Sequence, residues 1–206
     1  FSQLPAMLAS LTEPGRDAVY AASMLRLLRA CPDSAKWPVV RAALSDESEL
    51  VRASAAASLA ENREAVTVGA LAKACADPSR LVRVRAAEAL AGAQNQDIPE
   101  SLLQAVAHAR AELEESFSAR ADDWAGSYNR GNYLLRSGDP AAALSAYEVA
   151  LRLRPDASAA YVNSAMALAR LGSMAGAEAY LRKARDIDPQ NAAIVFNLGL
   201  ILAERG

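Results

Sequence analysis

The chain has 206 residues, of which 52% are hydrophobic, 22% are charged and only 5% are aromatic. Nearly a quarter of the residues are alanine, which is the strongest helix former, while β-branched and aromatic residues are too scarce for a large sheet. The formal charge is −2, and basic residues alternate with acidic ones along the chain, so we expect no nucleic-acid partner. The composition therefore predicts an all-α protein.

The residues that carry metal or nucleophilic chemistry are few and isolated. Cys31 and Cys75 have neither CxxC nor CxxCH spacing, and His108 is the single histidine. Triads and transition-metal sites need histidine beside a nucleophile or several imidazole and thiolate ligands. We therefore predict no enzymatic activity, no metal site and no cofactor, and interpret His108 as an ordinary helix-surface histidine. The longest apolar run, residues 192–203, is too short for a membrane span, so no membrane insertion is expected.

Two similar segments occupy the N-terminal half. Residues 50–60 return as residues 81–91, thirty-one positions later, and an acidic turn precedes each copy. We predict Asp46 and Asp77 as helix N-caps and Pro78 as a first helical residue. Val51, Ala55 and Leu59, like Val82, Ala86 and Leu90, are spaced to form one inward stripe. A period near thirty built from two short helices predicts a solenoid, because one pair cannot bury its own apolar face.

The motif D-P-x-x-x-V-R-x-x-A-A-x-A-L around Asp77 resembles the HEAT-like repeats first recognised in phycobilin lyases. The resemblance implies that the aspartates and arginines at these positions, Asp46, Asp77, Arg52 and Arg83, pair across successive repeats as a structural ladder. A functional binding patch is the alternative. In a weaker upstream copy Tyr20 replaces the arginine.

A junction follows the second copy. Residues 92–97 break the helix, and a long helical stretch is predicted from Ile98 to about Ser118. We interpret Glu112, Glu114 and Glu115 on this helix as a solvated acidic face. The stretch is expected to connect two repeat arrays.

The C-terminal part has a period of thirty-four. Pro155 recurs as Pro189, and Gly131, Ala165 and Gly199 stand in register. Small residues recur where helices cross, and a proline ends each unit because it cannot continue a helix. The pattern resembles the tetratricopeptide repeat, with units at residues 124–157 and 158–191 and the first helix of a third unit at 192–205.

Together these patterns predict an all-α helical-repeat solenoid with three parts. Residues 1–95 form an array of HEAT-like helix pairs, residues 96–122 form a connecting helix, and residues 123–206 form a tetratricopeptide superhelix.

The tetratricopeptide resemblance implies a concave groove, lined by the first helix of each unit, in which a protein or peptide partner binds. Asn129, Asn163 and Asn197 are in strict register, and their amides could bond the main chain of an extended peptide. Purely structural bonding between helices is the alternative. The other residues expected to line the groove are Tyr128, Asn132, Arg136, Val162, Met166, Arg170, Phe196 and Leu200.

One variant of the groove is excluded by its residues. Chaperone-binding members of the family hold a carboxylate with two asparagines, which Asn132 and Asn163 match. The family's basic positions hold Tyr128, Ala193 and Asn197, so a carboxylate would lack a cation.

The leading functional hypothesis is a non-catalytic scaffold that binds a protein or peptide. The alternative comes from the order of the repeats, which resembles the C-terminal part of bacterial multi-haem c-type cytochrome proteins. It implies an accessory or assembly region of a bacterial redox protein whose catalytic part lies outside this chain. That resemblance implies a periplasmic location, and without it we expect a cytoplasmic one.

The last predicted helix, Asn191 to Arg205, is apolar around nearly its whole circumference from residue 192 to residue 203. Solenoids normally end in a polar capping surface. We therefore expect this helix to be covered, either by self-association with a second copy or by residues beyond Gly206.

Overall fold

The fold is built from helices alone. The structure is a computed structural model that describes residues 3–119 and 122–205. Within these residues the chain forms 12 α-helices and no β-strand, which confirms the all-α, helical-repeat prediction. The helices are α1 (Leu4–Thr12), α2 (Ala18–Leu28), α3 (Lys36–Ala42), α4 (Glu49–Ser58), α5 (Ala65–Ala74), α6 (Arg80–Ala89), α7 (Leu103–Ser118), α8 (Trp124–Arg136), α9 (Pro140–Leu153), α10 (Ser158–Arg170), α11 (Met174–Ile187) and α12 (Ala192–Arg205).

The chain divides into two compact units, Phe1–Leu113 and Glu114–Gly206, here called the N-terminal and C-terminal units. In the N-terminal unit α2, α4 and α6 pack in series, with α1 against α3 and α5 against α6. In the C-terminal unit each helix from α8 to α12 packs on the next one along the chain. Both units are therefore stacks in which each helix contacts its near neighbours, as in repeat proteins.

Alanine-rich stripes form the core of the N-terminal unit. The residues predicted to face inward along α4 and α6 are all buried, which confirms that prediction: Val51, Ala55, Leu59, Val82, Ala86 and Leu90. Because the middle positions are alanine, the helix axes can approach closely and little space is left to fill.

Arginines link successive repeats of the N-terminal unit. Arg52 donates to both carboxylate oxygens of Asp77, at 2.7 and 2.9 Å, and to the main-chain oxygen of Asp46 at 2.9 Å. Arg83, one repeat later, donates to both carboxylate oxygens of Glu112, at 2.8 and 2.6 Å, and to the main-chain oxygen of Asp77 at 2.8 Å. Each guanidinium thus ties its own turn to the next repeat.

The turns before α4 and α6 differ from the prediction. Ser48 and Ser79 are the N-cap residues, and α6 begins at Arg80, so the assignment of Asp46, Asp77 and Pro78 to the helix starts was wrong. Asp46 and Asp77 lie two residues earlier, where each accepts the main-chain N–H of the following serine, at 2.9 and 2.8 Å. This local turn fixes the carboxylate where an arginine can reach it.

Two further expectations for this unit were wrong. Glu112 is buried rather than solvated, and its carboxylate accepts hydrogen bonds from the Arg83 guanidinium. Helix α7 begins at Leu103 rather than Ile98, and short 3-10 turns precede it. Where Tyr20 replaces the repeat arginine, Arg16 supplies the guanidinium that pairs with Asp46.

The carboxylates of Asp77 and Glu112, which pair with arginines of the preceding repeat, make the stability of the N-terminal unit depend on pH. Burial opposes ionisation of Asp77 most strongly, but the hydrogen bonds from Arg52 and Ser79 and the charges of Arg52 and Arg83 outweigh it and lower its pKa. The pKa of Glu112 is lowered chiefly by the hydrogen bond from Arg83. Groups whose pKa is lower in the folded state stabilise it above their unfolded pKa, about 4, and lose that contribution as the pH falls further.

We therefore expect the free energy of unfolding of the N-terminal unit to change little from these groups between pH 7 and 5, and to fall below about pH 4. Urea unfolding followed at several pH values checks this. Glu112→Gln should shrink the acid-dependent loss, since it removes one of the two groups. An equally steep loss in that variant would contradict the assignment.

Glycine and aspartate end and begin the helices of the C-terminal unit. Gly138 and Gly172 follow α8 and α10 with φ of 85° and 80°, a left-handed conformation that favours glycine. Asp139 then caps α9 by accepting the N–H of Ala142 at 2.9 Å, with Pro140 as the first helical residue. This tight turn places α8 and α9 side by side. The glycine recurs between α10 and α11, where the N-cap residue is Ser173 and its side chain makes no capping hydrogen bond.

Candidate functional site

A polar cluster joins α8, α9 and α10. Asn132 accepts two hydrogen bonds at its side-chain oxygen, from the Tyr147 hydroxyl at 2.9 Å and from Asn163 Nδ2 at 2.7 Å. Asn163 Nδ2 also donates to the Tyr128 hydroxyl at 3.1 Å. The amide nitrogen of Asn163 has only two hydrogens, so both are already used. Its side-chain oxygen is the atom left to accept from a ligand.

Tyr147 on α9 is the buried member of this polar cluster. Its side chain is fully buried, and burial together with the neighbouring Tyr128 raises its pKa, so the hydroxyl stays neutral and donates. The Tyr147 ring lies against Gly131, where an added Cβ atom would be 2.4 Å from the ring. A larger residue at 131 would push the ring away, so the glycine sets the position of the hydroxyl.

Aromatic rings extend the cluster towards the start of α8. The ring centroids of Tyr128 and Tyr147 are 6.0 Å apart, and those of Trp124 and Tyr128 are 5.8 Å apart. The Arg154 guanidinium lies 4.6 Å from the Trp124 ring centroid, a cation–π distance. Tyr128 is therefore held from both sides with its hydroxyl directed at Asn163.

In the next two repeats the corresponding positions are apolar. Tyr128 is replaced in register by Val162 and Phe196, and Asn132 by Met166 and Leu200. Val162 is half-buried, whereas Met166, Phe196 and Leu200 are exposed. The surface along α8, α10 and α12 therefore changes from a bonded polar end to an exposed apolar end.

Two arginines in register carry the charge of this surface. Arg136 ends α8 and Arg170 ends α10, and Arg170 Nη1 donates to the main-chain oxygen of Leu135 at 2.7 Å. The eleven residues predicted for the groove include no carboxylate. The surface is therefore suited to a ligand that combines apolar and acidic groups.

The comparisons with known proteins agree with the thirty-four-residue period. Residues 128–192 match the tetratricopeptide repeat family. No curated protein matches the chain. Tetratricopeptide repeats are generally protein–protein interaction modules, and their helical fold is typically non-catalytic.

The three asparagines predicted as a ladder, Asn129, Asn163 and Asn197, have different surroundings. Asn129 is exposed, Asn163 is half-buried and bonded to α8, and Asn197 is half-buried on α12. The three asparagines are therefore regularly spaced in the sequence, but they do not offer the same side-chain atoms for hydrogen bonding to a ligand.

Sequence reasoning did not anticipate the role of Tyr147. In the thirty-four-residue period Tyr147 is a large residue in register with Leu181, which packs in the hydrophobic core one unit later. The signal that could have found it is the hydroxyl: a tyrosine at a buried position needs a polar partner, and Asn132 is the nearby candidate on α8.

Residues 3–119 and 122–205 contain neither a candidate metal site nor a candidate membrane-spanning helix. Among these residues no group of three or more histidine, cysteine, aspartate or glutamate side chains could hold a metal ion. Likewise, none of the helices formed by them combines the length and the apolar character that a membrane crossing requires.

Proposed function

We propose that the chain is a non-catalytic scaffold whose C-terminal unit binds a peptide segment of a protein partner across α8, α10 and α12. The observation that carries the proposal is the run of exposed apolar side chains, Met166, Phe196 and Leu200, beside the bonded polar cluster. Exposed apolar patches of this kind mark interaction sites. Peptide grooves combine such apolar surface with a few placed polar groups.

The charges define the partner further. Arg136 lies four residues after Asn132, and Arg170 lies four residues after Met166, so each arginine is about one helical turn beyond a predicted groove position on its helix. We propose that the peptide presents apolar side chains to Met166 and Leu200 and an acidic side chain to the arginines. A main-chain N–H of the peptide would donate to the side-chain oxygen of Asn163.

The test uses a matched pair of exposed residues. Met166 on α10 is 45% exposed and Leu153 on α9 is 46% exposed, so the two positions differ mainly in whether they belong to the groove. Met166→Glu is expected to weaken binding about tenfold or more, and Leu153→Glu to leave it unchanged, because only the first places a charge where apolar surface is covered. Peptides selected by phage display on the full chain, then measured by fluorescence anisotropy, provide the readout.

A third variant tests the charge of the partner. Met166→Lys should weaken binding less than Met166→Glu, because a lysine attracts an acidic peptide that a glutamate repels. Equal binding by all variants would mean that recognition lies outside this groove. Asn163→Ala is a less direct probe, since it also removes the hydrogen bonds to Asn132 and Tyr128.

We also propose that residues 1–95 are a HEAT-like array, residues 96–122 a connecting helix and residues 123–206 the tetratricopeptide array; residues 1, 2, 120, 121 and 206 lie outside the described residues. Support for the first part comes from the repeated pairing of Arg52 with Asp77 and of Arg83 with Glu112. The alternative, an accessory region of a multi-haem redox protein, stays a prediction that CxxCH motifs in the adjoining reading frame would test.

A further inference from the structure

Helix α12 exposes a face that is covered on the earlier helices of the same type. Helix α9 packs on α8 and α11 packs on α10, whereas α12 packs on α11 that precedes it. Its inner face holds Ile194 and Leu198, both buried. Its outer face holds three large apolar residues that are at least two-fifths exposed, Val195, Phe196 and Leu202, whereas their register partners on α10 are half-buried.

A glycine notch lies in this outer face. Gly131 on α8 and Gly199 on α12 occupy the same position of the repeat. At Gly131 the space over the helix is filled by the Tyr147 ring of α9, only 2.4 Å from where a Cβ atom would be. At Gly199 an added Cβ atom would meet nothing within 4 Å. The notch that receives an aromatic ring in the first unit is therefore open in the third.

The covering helices show what fits such a notch. In α9 a large residue, Tyr147, stands between Ala143 and Ala150, and α11 repeats the pattern with Leu181 between Ala177 and Ala184. The small residues let the helix approach closely while the large one enters the notch. The ligand for the Gly199 notch is thus a helix with the spacing small-x3-large-x2-small.

Helix α12 itself carries this spacing on its exposed face. Ala192, Phe196 and Gly199 follow the same pattern, and Ala203 continues it one turn later. At 100° per residue all four lie within about 60° of one another on the helix surface. All four are exposed, and Phe196 is 66% exposed. One face therefore holds both the notch and the side chain that suits it.

We propose that two copies of the chain pair through antiparallel α12 helices, with Phe196 of each copy seated on Gly199 of the other. In an antiparallel pair centred between residues 197 and 198, residue 196 faces residue 199 and residue 192 faces residue 203. Phe196 of one copy then meets Gly199 of the other, and Ala192 of one copy meets Ala203 of the other. This is the self-complementarity that a twofold-symmetric interface requires.

The electrostatics of the face agree with self-pairing. Residues 192–203 contain no charged side chain, so two copies meet without repulsion or buried charge. One helix per copy buries less than the about 1,200 Å² of a standard interface. The dimer is therefore weak, with a dissociation constant in the micromolar range or above, and depends on protein concentration.

The first experiment measures self-association of the full chain by analytical ultracentrifugation between about 5 and 300 μM. Gly199→Ala should raise the melting temperature at the lowest concentration, because alanine favours a helix interior and meets no neighbour. The same variant should weaken the dimer about tenfold or more, because its methyl group occupies the space that Phe196 needs. Phe196→Ala should weaken the dimer to a similar extent.

Gly69→Ala is the matched control, since Gly69 lies within α5 and an added Cβ atom there also meets nothing within 4 Å. It should raise the melting temperature and leave the dimer unchanged. A chain that stays monomeric at 300 μM would overturn the proposal. So would a dimer that Gly199→Ala and Phe196→Ala leave intact.

The second experiment tests the antiparallel register by disulfide formation. Ala192→Cys and Ala203→Cys variants are oxidised separately and as an equimolar mixture; the native Cys31 and Cys75 are both buried. The mixture should form the 192–203 disulfide several times faster than either variant pairs with itself. Faster pairing of Ala192→Cys with itself would indicate a parallel dimer and contradict the proposal.

Discussion

Gly131→Ala is expected to destabilise the C-terminal unit by about 1–3 kcal/mol, the usual cost of overpacking a filled site. The new methyl group would lie 2.4 Å from a ring carbon of Tyr147, which is fully buried and cannot move into solvent. The displaced ring would also lengthen the hydrogen bond from its hydroxyl to Asn132. Trp124 fluorescence during urea unfolding, in a Trp37→Phe background, reports on this unit alone.

Gly199→Ala is the matched control for that result, because it makes the same change at the same repeat position. With nothing within 4 Å of its Cβ atom, it should stabilise the unit by about 0.5–1 kcal/mol when measured at low protein concentration. If both variants shifted the unfolding midpoint in the same direction, the close contact between Gly131 and Tyr147 would be wrong.

Asp77→Ala is expected to destabilise the N-terminal unit by about 2–3 kcal/mol. The substitution leaves the Arg52 guanidinium without its carboxylate and the Ser79 N–H without its acceptor, in a setting where the carboxylate side chain is only 9% exposed. Removing one partner of a pair with little exposure costs more than the pair itself contributes. Urea unfolding followed by circular dichroism measures the loss.

Two further variants show whether the loss of stability in Asp77→Ala comes from its pairing with Arg52. Glu61→Ala, at an exposed position of the same unit, should change the free energy of unfolding by no more than about 0.5 kcal/mol. The double variant Arg52→Ala with Asp77→Ala should cost less than the sum of the two single changes, because the residues interact directly. Additive losses would show that Arg52 and Asp77 are not coupled.

The sequence was sufficient for the features that repeat. The period of thirty-four fixed the register of Gly131 with Gly199, and the spacing of Val51, Ala55 and Leu59 predicted a buried stripe that the structure contains. These features depend on residues close together in the chain, where helical periodicity determines which face a side chain occupies.

The features that sequence reasoning missed depend on partners far apart in the chain. Glu112 looked like part of a solvated acidic cluster, because nothing near it indicates that Arg83 would reach it from 29 residues away. Asn163 looked available for a ligand for the same reason, since Asn132 lies 31 residues upstream. An aspartate that forms a turn before a helix also has nearly the same spacing as one that caps it, so Asp77 was misassigned.

The arginine series also bears on how such an array could have grown. Arg52 and Arg83 each contact their own turn and the next carboxylate, and residues outside the two full copies supply the two end partners, Arg16 at the start and Glu112 on α7. Duplicating one 31-residue copy would add one arginine and one carboxylate together and leave both ends unchanged. Gene duplication can therefore lengthen the array by whole copies without a compensating substitution, whereas insertion of a partial copy would break a link.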